Sequence, residues 1–189
     1  MEINFFNYSI HIYFLIFIVL VTVRNIFEVV ILPKEKFKIQ GLFTIVLFIV
    51  FYFTALVSTG FSLFLKQNSN SILYFFGIVT FSISFIFRLL FALQMGDSYS
   101  QSISPKLNGE LVTSGIRSII RHPLYLLYFF EICGLVLMCV TRIGIICIIA
   151  DCIVTIYRIQ KEEQLLIKKY GELYKNYKLK TWKLIPYLF

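Results

Sequence analysis

Residues 121–157 read RHPLYLLYFFEICGLVLMCVTRIGIICIIADCIVTIY, and the way this stretch divides decides the fold. From Leu124 to Tyr157 it is almost continuously apolar. That is too long for one membrane-crossing helix, which needs about 20 residues, and just enough for two short ones. The run is interrupted at Thr141, Arg142 and Gly144, residue types that stop and restart helices. The expectation is a tight helical hairpin with arms at 124–140 and 143–157.

Working outward, residues 8–32, 41–65 and 71–95 are three further apolar runs of equal length. A helix of that length would measure about 37 Å, enough to cross hydrocarbon with some tilt. The first run is too long for a signal-peptide core and has neither a basic leader nor a small-residue cleavage site, so it is expected to stay as an anchor. With 59% hydrophobic and 18% aromatic residues against 15% charged, the chain lies well outside soluble and disordered compositions. The fold expected is all-α and integral to the membrane. It forms a single domain over 1–189 with about five transmembrane helices, a late helical hairpin and a cytoplasmic amphipathic C-terminal helix.

The net charge of +8 would raise the question of nucleic acid in a soluble domain, but here the basic residues cluster at the ends of apolar runs. With the N-terminus outside, fourteen Lys and Arg fall on the cytoplasmic side, in 33–40, 96–123 and the tail, while only Lys66 and Arg142 fall outside. That bias places the long loop and the tail together in the cytoplasm, leaving membrane lipids as partners and no nucleic acid. Cys133, Cys139, Cys147 and Cys152 lie inside apolar runs without metal-ligand spacing, so they read as reduced packing residues and no metal is expected.

Arg24, Glu28, Arg88, Glu131 and Asp151 are ionisable residues inside the runs, all roughly 10 to 15 Å from the cytoplasmic boundary in this topology. Arg24 and Glu28, four apart, read as a local pair. Arg88, Glu131 and Asp151 either pair across helices or line a polar cavity. The segment 96–123, with Gly96, Asp97, Pro105, Asn108, Gly109 and Gly115, is long and aperiodic and is the first place to look for chemistry. From Tyr157 to Phe189, eight Lys and Arg interleave with Leu and Tyr at helical spacing. This reads as a helix continuing out of the last span with one basic face and one apolar face, able to lie on anionic headgroups. Tyr170, Tyr174 and Tyr177 are expected to pack against the hairpin or sit at the interface, and Trp182 and Tyr187 to anchor at the interface.

Three blocks remain in order: Leu111-Val112-Thr113-Ser114-Gly115 leading to Arg121-His122-Pro123-Leu124-Tyr125; then Arg158-Ile-Gln-Lys-Glu162-Glu163; then Tyr170-Gly171-Glu172-Leu173-Tyr174 with Tyr177 and Pro186. Alone, Arg-His-Pro before an apolar run describes a helix start. The ordered set, over roughly residues 86–187, resembles the isoprenylcysteine carboxyl methyltransferase family, related to the membrane phospholipid methyltransferases. The resemblance implies an enzyme that transfers a methyl group from S-adenosylmethionine to a lipophilic small-molecule or lipidated acceptor. It further implies cofactor contacts at Gln101, Gly109, Glu110, Leu111, Val112, His122, Pro123, Leu124, Tyr125 and Glu162, with Arg158 orienting the substrate. Gly109 and Arg117 stand where relatives often carry His and Tyr, and Arg117 is taken as a contact for the donor's carboxylate or an acidic headgroup.

The roles suit the donor, whose amino group calls for a carboxylate, whose carboxylate calls for cations or backbone N–H groups, and whose adenine calls for an aromatic wall. Arg158 lies one turn before Glu162 on the same helix face, which would bring an acceptor carboxylate beside the sulfonium. A carboxylate acceptor needs no general base, whereas an amine or thiol acceptor would make His122, Glu131 or Asp151 candidates for one. Methylation of phospholipid amines or thiols, a nicotinamide-dependent sterol-type reductase and a non-catalytic membrane homologue stay open as alternatives. The acceptor and the oligomeric state are not legible in these residues.

Overall fold

The structure, a computed structural model, describes Val19 and residues 42–64, 70–95 and 111–187. Within them the chain forms α1 (Leu42–Phe64), α2 (Ser71–Met95), α3 (Pro123–Met138), α4 (Arg142–Tyr170) and α5 (Glu172–Lys180), with a 3-10 turn at Gly115–Ser118. No strand occurs among the described residues, and one isolated parallel bridge joins Ile120 to Trp182. The all-helical class is as the apolar runs imply. The run 8–32, with Arg24 and Glu28, lies outside the described residues apart from Val19.

Each boundary has a local cause. Asn70 Oδ1 accepts from the amide N–H of Ile72 at 2.9 Å, capping the start of α2. Pro123 occupies the first turn of α3, where its missing N–H costs nothing. Thr141 caps α4, its hydroxyl accepting from the Gly144 N–H at 2.9 Å. The same hydroxyl lies 2.8 Å from Ser58 Oγ of α1, so the hairpin's apex is pinned to its neighbour.

The hairpin therefore turns where the sequence places it, and the helix continues out of its second arm as the spacing of the tail implies, but not through the whole tail. Helix α4 does not end near Tyr157. It runs on to Tyr170 as one rod of 29 residues, because nothing between them breaks a helix. The break comes at Gly171, whose φ of +56° suits only glycine. The tail is thus not one long helix. It is the end of α4, the nine-residue α5 and an irregular strap that reaches back to Ile120.

Among the described residues two helices, Ser71–Phe91 and Arg142–Tyr170, are long and apolar enough to cross a membrane, while Ile49–Ser62 and Pro123–Met138 are shorter apolar helices. Five spans and a separate amphipathic tail helix go beyond what these residues display. The outward faces are nonetheless those of a lipid-facing bundle: Val57, Phe61, Phe75, Phe87, Ile146 and Ile153 are all exposed.

Helix α3 lies chiefly along α2, and α4 chiefly against α1. The α2–α3 contact is between backbones. A methyl group at Gly77 would come within 2.7 Å of the Gly134 carbonyl oxygen, and one at Gly134 within 2.6 Å of the Phe81 nitrogen. Small residues at a crossing are how helices approach closely without a hydrophobic driving force between them. Phe81, Ile132, Leu135 and Met138 close the core around this contact.

Candidate active site

Arg88 of α2 meets Glu131 of α3 inside that core, Nε to Oε1 at 2.6 Å, with both side chains fully buried. The Tyr128 ring lies 4.9 Å from the guanidinium. Of the two readings left open for these residues, cross-helix pairing therefore holds for Arg88 and Glu131. Asp151, 1% exposed, has no hydrogen-bond partner for either carboxylate oxygen among the described residues.

The second polar assembly forms where the charged end of α4, beyond its apolar part, passes the start of α3. On α4 the adjacent pair Glu162 and Glu163 lies one turn after Arg158. His122, at the N-terminal boundary of α3, is 5% exposed, and Tyr125 follows it one turn on. Glu162 Oε2 lies 3.6 Å from His122 Nδ1, and Glu163 Oε1 lies 3.4 Å from His122 Nε2. Arg158 Nε donates to the Tyr125 hydroxyl at 3.4 Å, and its guanidinium stands 5.7 Å from that ring's centre. The His122 and Tyr125 rings are 5.9 Å apart.

Glu163 is the hub of this assembly. Its side chain, 8% exposed, takes Arg121 Nε at 3.1 Å and Lys178 Nζ at 2.8 Å besides His122. Burial by itself would raise its carboxyl. The close approach of His122, the bond from Lys178 and the charge of Arg121 outweigh that and bring it down from 4.5 to about 2. Arg121 also donates to the carbonyls of Lys178 (3.0 Å) and Thr181. Backbone bonds from Arg121 N to Trp182 O (2.8 Å), Trp182 N to Ile119 O (2.8 Å) and His122 N to Lys183 O (3.2 Å) bind the strap to the segment before α3.

Tyr174 is buried at 1% exposure beneath this assembly, with Tyr177 beside it, 5.8 Å between ring centres. Burial pushes the Tyr174 hydroxyl up, and the nearby charges of Glu163 and Glu162 push the same way. These tyrosines pack as their spacing implies, while Trp182 and Tyr187, 5.4 Å apart, remain largely exposed.

The structure thus gathers His122, Tyr125, Arg158 and Glu162 at one end of the hairpin, with Pro123 and Leu124 in the first turn of α3. Leu111 and Val112 are half-buried in the extended segment that leads into the 3-10 turn. Arg117, on the 3-10 turn, makes contacts of its own. Its guanidinium lies 5.8 Å from the ring centre of Phe91, and its carbonyl accepts from the Tyr177 hydroxyl at 2.6 Å. Gln101, Gly109 and Glu110 lie outside the described residues. Sequence reading missed Arg121, Glu163 and Lys178 as a structural hub; the second Glu of the Glu162-Glu163 pair was the one available signal. A separate groove of about 860 Å³ lies at the other end of the hairpin, by its apex, lined by Phe53, Val57, Phe61, Val140 and Arg142 among others.

The residues fit a donor of the S-adenosylmethionine type. Glu162 is the carboxylate of the group with appreciable exposure, 24% for its side chain, whereas Glu163 is already engaged by Arg121, Lys178 and His122. Tyr125 gives an aromatic face between them and Arg158. Residues 72–168 match the model of the isoprenylcysteine carboxyl methyltransferase family, just over half of the chain. No curated protein matches it.

Proposed function

As a member of the isoprenylcysteine carboxyl methyltransferase family, the chain is a membrane methyltransferase, and we propose that it moves the methyl group of S-adenosylmethionine to a lipophilic acceptor at the His122–Glu162 end of the hairpin. The observation that carries this reading is the convergence of His122, Tyr125, Arg158 and Glu162 from two helix segments that are separated in the chain by the whole hairpin.

S-adenosylmethionine supplies an electrophilic methyl on a sulfonium, so that as the acceptor oxygen bonds to carbon the carbon–sulfur bond breaks, its electrons go to sulfur, and no proton moves. The chain's part is to bind, align and keep water out. Glu162 takes the donor's ammonium, and the Tyr125 ring walls its apolar portion. Arg158, steadied by the Tyr125 hydroxyl, takes an anionic acceptor group through its guanidinium. His122, enclosed between two glutamates, holds the carboxylates in register. Leu111 and Val112, with Gln101, Gly109 and Glu110, belong to the loop side of the donor pocket in this reading.

A carboxylate acceptor such as that of an isoprenylated cysteine suits the site best, because it is already ionised at neutral pH. The charge bias of the ends supports a site at the cytoplasmic face, with the acceptor entering from the inner leaflet in this reading. Calorimetric titration of the detergent-purified protein with S-adenosylmethionine and S-adenosylhomocysteine tests the reading. Binding by the wild type that Glu162→Gln reduces at least tenfold supports it; a folded wild type that binds neither compound refutes it.

A further inference from the structure

The charged end of the hairpin also carries an apolar surface. Trp182 of the strap donates its backbone N–H to the Ile119 carbonyl at 2.8 Å, and its ring centre lies 5.4 Å from that of Tyr187. Ile116 and Ile119, in and just after the 3-10 turn, are exposed, as are Trp182 and Ile185. Leu179 of α5 and Tyr187 of the strap are 86% and 89% exposed. These six side chains stand outside the apolar runs, where a surface facing water would carry polar groups.

The surface is held in a fixed place. Arg121 N donates to the Trp182 carbonyl and His122 N to the Lys183 carbonyl, while the Arg121 side chain reaches the Thr181 carbonyl and the Tyr177 hydroxyl reaches that of Arg117. The strap is thereby fastened to the two residues that precede Pro123, where the apolar helix α3 begins. Arg121 in turn holds Glu163, in the block where α4 changes from apolar to charged. Both arms of the hairpin leave their apolar parts at this level, so in a membrane protein the strap lies at the edge of the hydrocarbon.

The charge of the two segments is one-sided. Residues 111–121 and 173–187 contain six Lys and Arg and no Asp or Glu. Arg121 and Lys178 are turned into the Glu163 hub, and Lys175 pairs with Glu172. Arg117, Lys180 and Lys183 belong to the same segments as the exposed apolar side chains. Apolar groups flanked by cations at the edge of the hydrocarbon match a layer that is apolar beneath and anionic above, and Trp and Tyr, each with an apolar body and a polar tip, suit its boundary.

We propose that the strap and the 3-10 turn form a docking surface for anionic phospholipid headgroups. Trp182, Tyr187 and Ile119 sit at the glycerol and upper acyl level, and Lys180 and Lys183 meet the phosphates. The proposal needs the membrane setting of the family and does not depend on the methyl-transfer reading.

Trp182 is the single tryptophan of the chain, so its fluorescence reports on this surface without a label. The experiment is quenching of that fluorescence in the full chain, reconstituted into phosphatidylcholine bilayers. These contain, at equal mole fraction, either dibrominated phosphatidylcholine or dibrominated phosphatidylglycerol. Bromine quenches at close range, so the comparison counts the lipids beside the ring. Brominated phosphatidylcholine is expected to quench, and at low salt brominated phosphatidylglycerol to quench as if enriched about fivefold at the ring. Lys180→Gln combined with Lys183→Gln should bring the two lipids to parity while quenching by brominated phosphatidylcholine persists. High salt should do the same to the wild type. Should the double variant fail to fold, the salt dependence decides.

Four outcomes overturn the proposal. Quenching by aqueous iodide and by neither lipid would mean that the strap faces water. Quenching by neither iodide nor lipid would mean that a second copy or another part of the chain covers it. Equal quenching by the two lipids in the wild type would mean membrane contact without a headgroup preference. A preference that survives the folded double variant or high salt would mean that these lysines do not carry it. None of the four bears on donor binding, which calorimetry with S-adenosylhomocysteine decides separately.

Discussion

Glu162 and Glu163 are neighbours in sequence and opposites in role. On a helix, consecutive residues point roughly 100° apart, so Glu162 keeps a partly exposed side chain while Glu163 turns into the packed hub. Glu163→Gln removes the anion shared by Arg121, His122 and Lys178 and leaves partly buried cations unmatched. It should lower stability by about 2 kcal/mol, read as a fall in the thermal unfolding midpoint in detergent. Glu162→Gln should change that midpoint little while abolishing donor binding. The pH dependence has a definite sign. Because the Glu163 carboxyl lies at about 2 in the folded chain against a usual 4.5, its contribution is complete above 4.5. It is lost as pH falls from there toward 2, and wild-type unfolding followed through that window should lose a step that Glu163→Gln lacks. Glu162 was singled out through the resemblance of the Arg158–Glu163 block to the family's pattern. The role of Glu163 was not legible, because its partners come from the start of α3 and from α5, and spacing along one helix says nothing of them.

At the level of elements, the hairpin was legible because Thr141, Arg142 and Gly144 interrupt an apolar run at its middle, and a polar cap with a glycine is sufficient to turn a chain. The continuation of the second arm past Arg158 was legible in the helical spacing of the tail, but its end at Gly171 was not, since the tail reads as one continuous periodic stretch. Helix propensity continues through Lys161 to Lys169, and only Gly171 stops it. Gly171→Ala places a Cβ where φ is +56° in otherwise open space, so the cost is conformational alone, about 1–2 kcal/mol. Gly77→Ala and Gly134→Ala fail for the other reason. Their methyl groups meet the backbone of the facing helix at 2.7 and 2.6 Å, which no rotamer relieves. Each should cost about 2–3 kcal/mol in the same unfolding measurement and separate α2 from α3. Nothing in the sequence pairs these two glycines, which stand on different helices with the whole segment 96–122 between them.

Over the whole molecule, the arrangement of charge follows the arrangement of apolar surface. The long helices turn Phe75, Phe87, Ile146 and Ile153 outward and Arg88, Glu131 and Asp151 inward, the reverse of a water-soluble bundle. Basic residues collect at one end of the hairpin, where Arg121, Arg158, Lys161 and Lys178 stand, and the apex at the other end carries Arg142. If Lys and Arg fix orientation as they do in short membrane loops, the end with the candidate site faces the cytoplasm and the apex faces away. Gln160 is exposed on α4 beside the site and Arg142 is exposed at the apex. The four native cysteines lie in the apolar arms, half-buried or buried. Gln160→Cys and Arg142→Cys, each made with the native cysteines replaced by Ala or Ser, therefore report the two faces separately. In sealed vesicles of known sidedness, a membrane-impermeant maleimide should reach the thiol introduced by Gln160→Cys only from the cytoplasmic face and that introduced by Arg142→Cys only from the opposite one. The reverse pattern would put the donor pocket on the side without cellular S-adenosylmethionine and would remove the basis for entry from the inner leaflet.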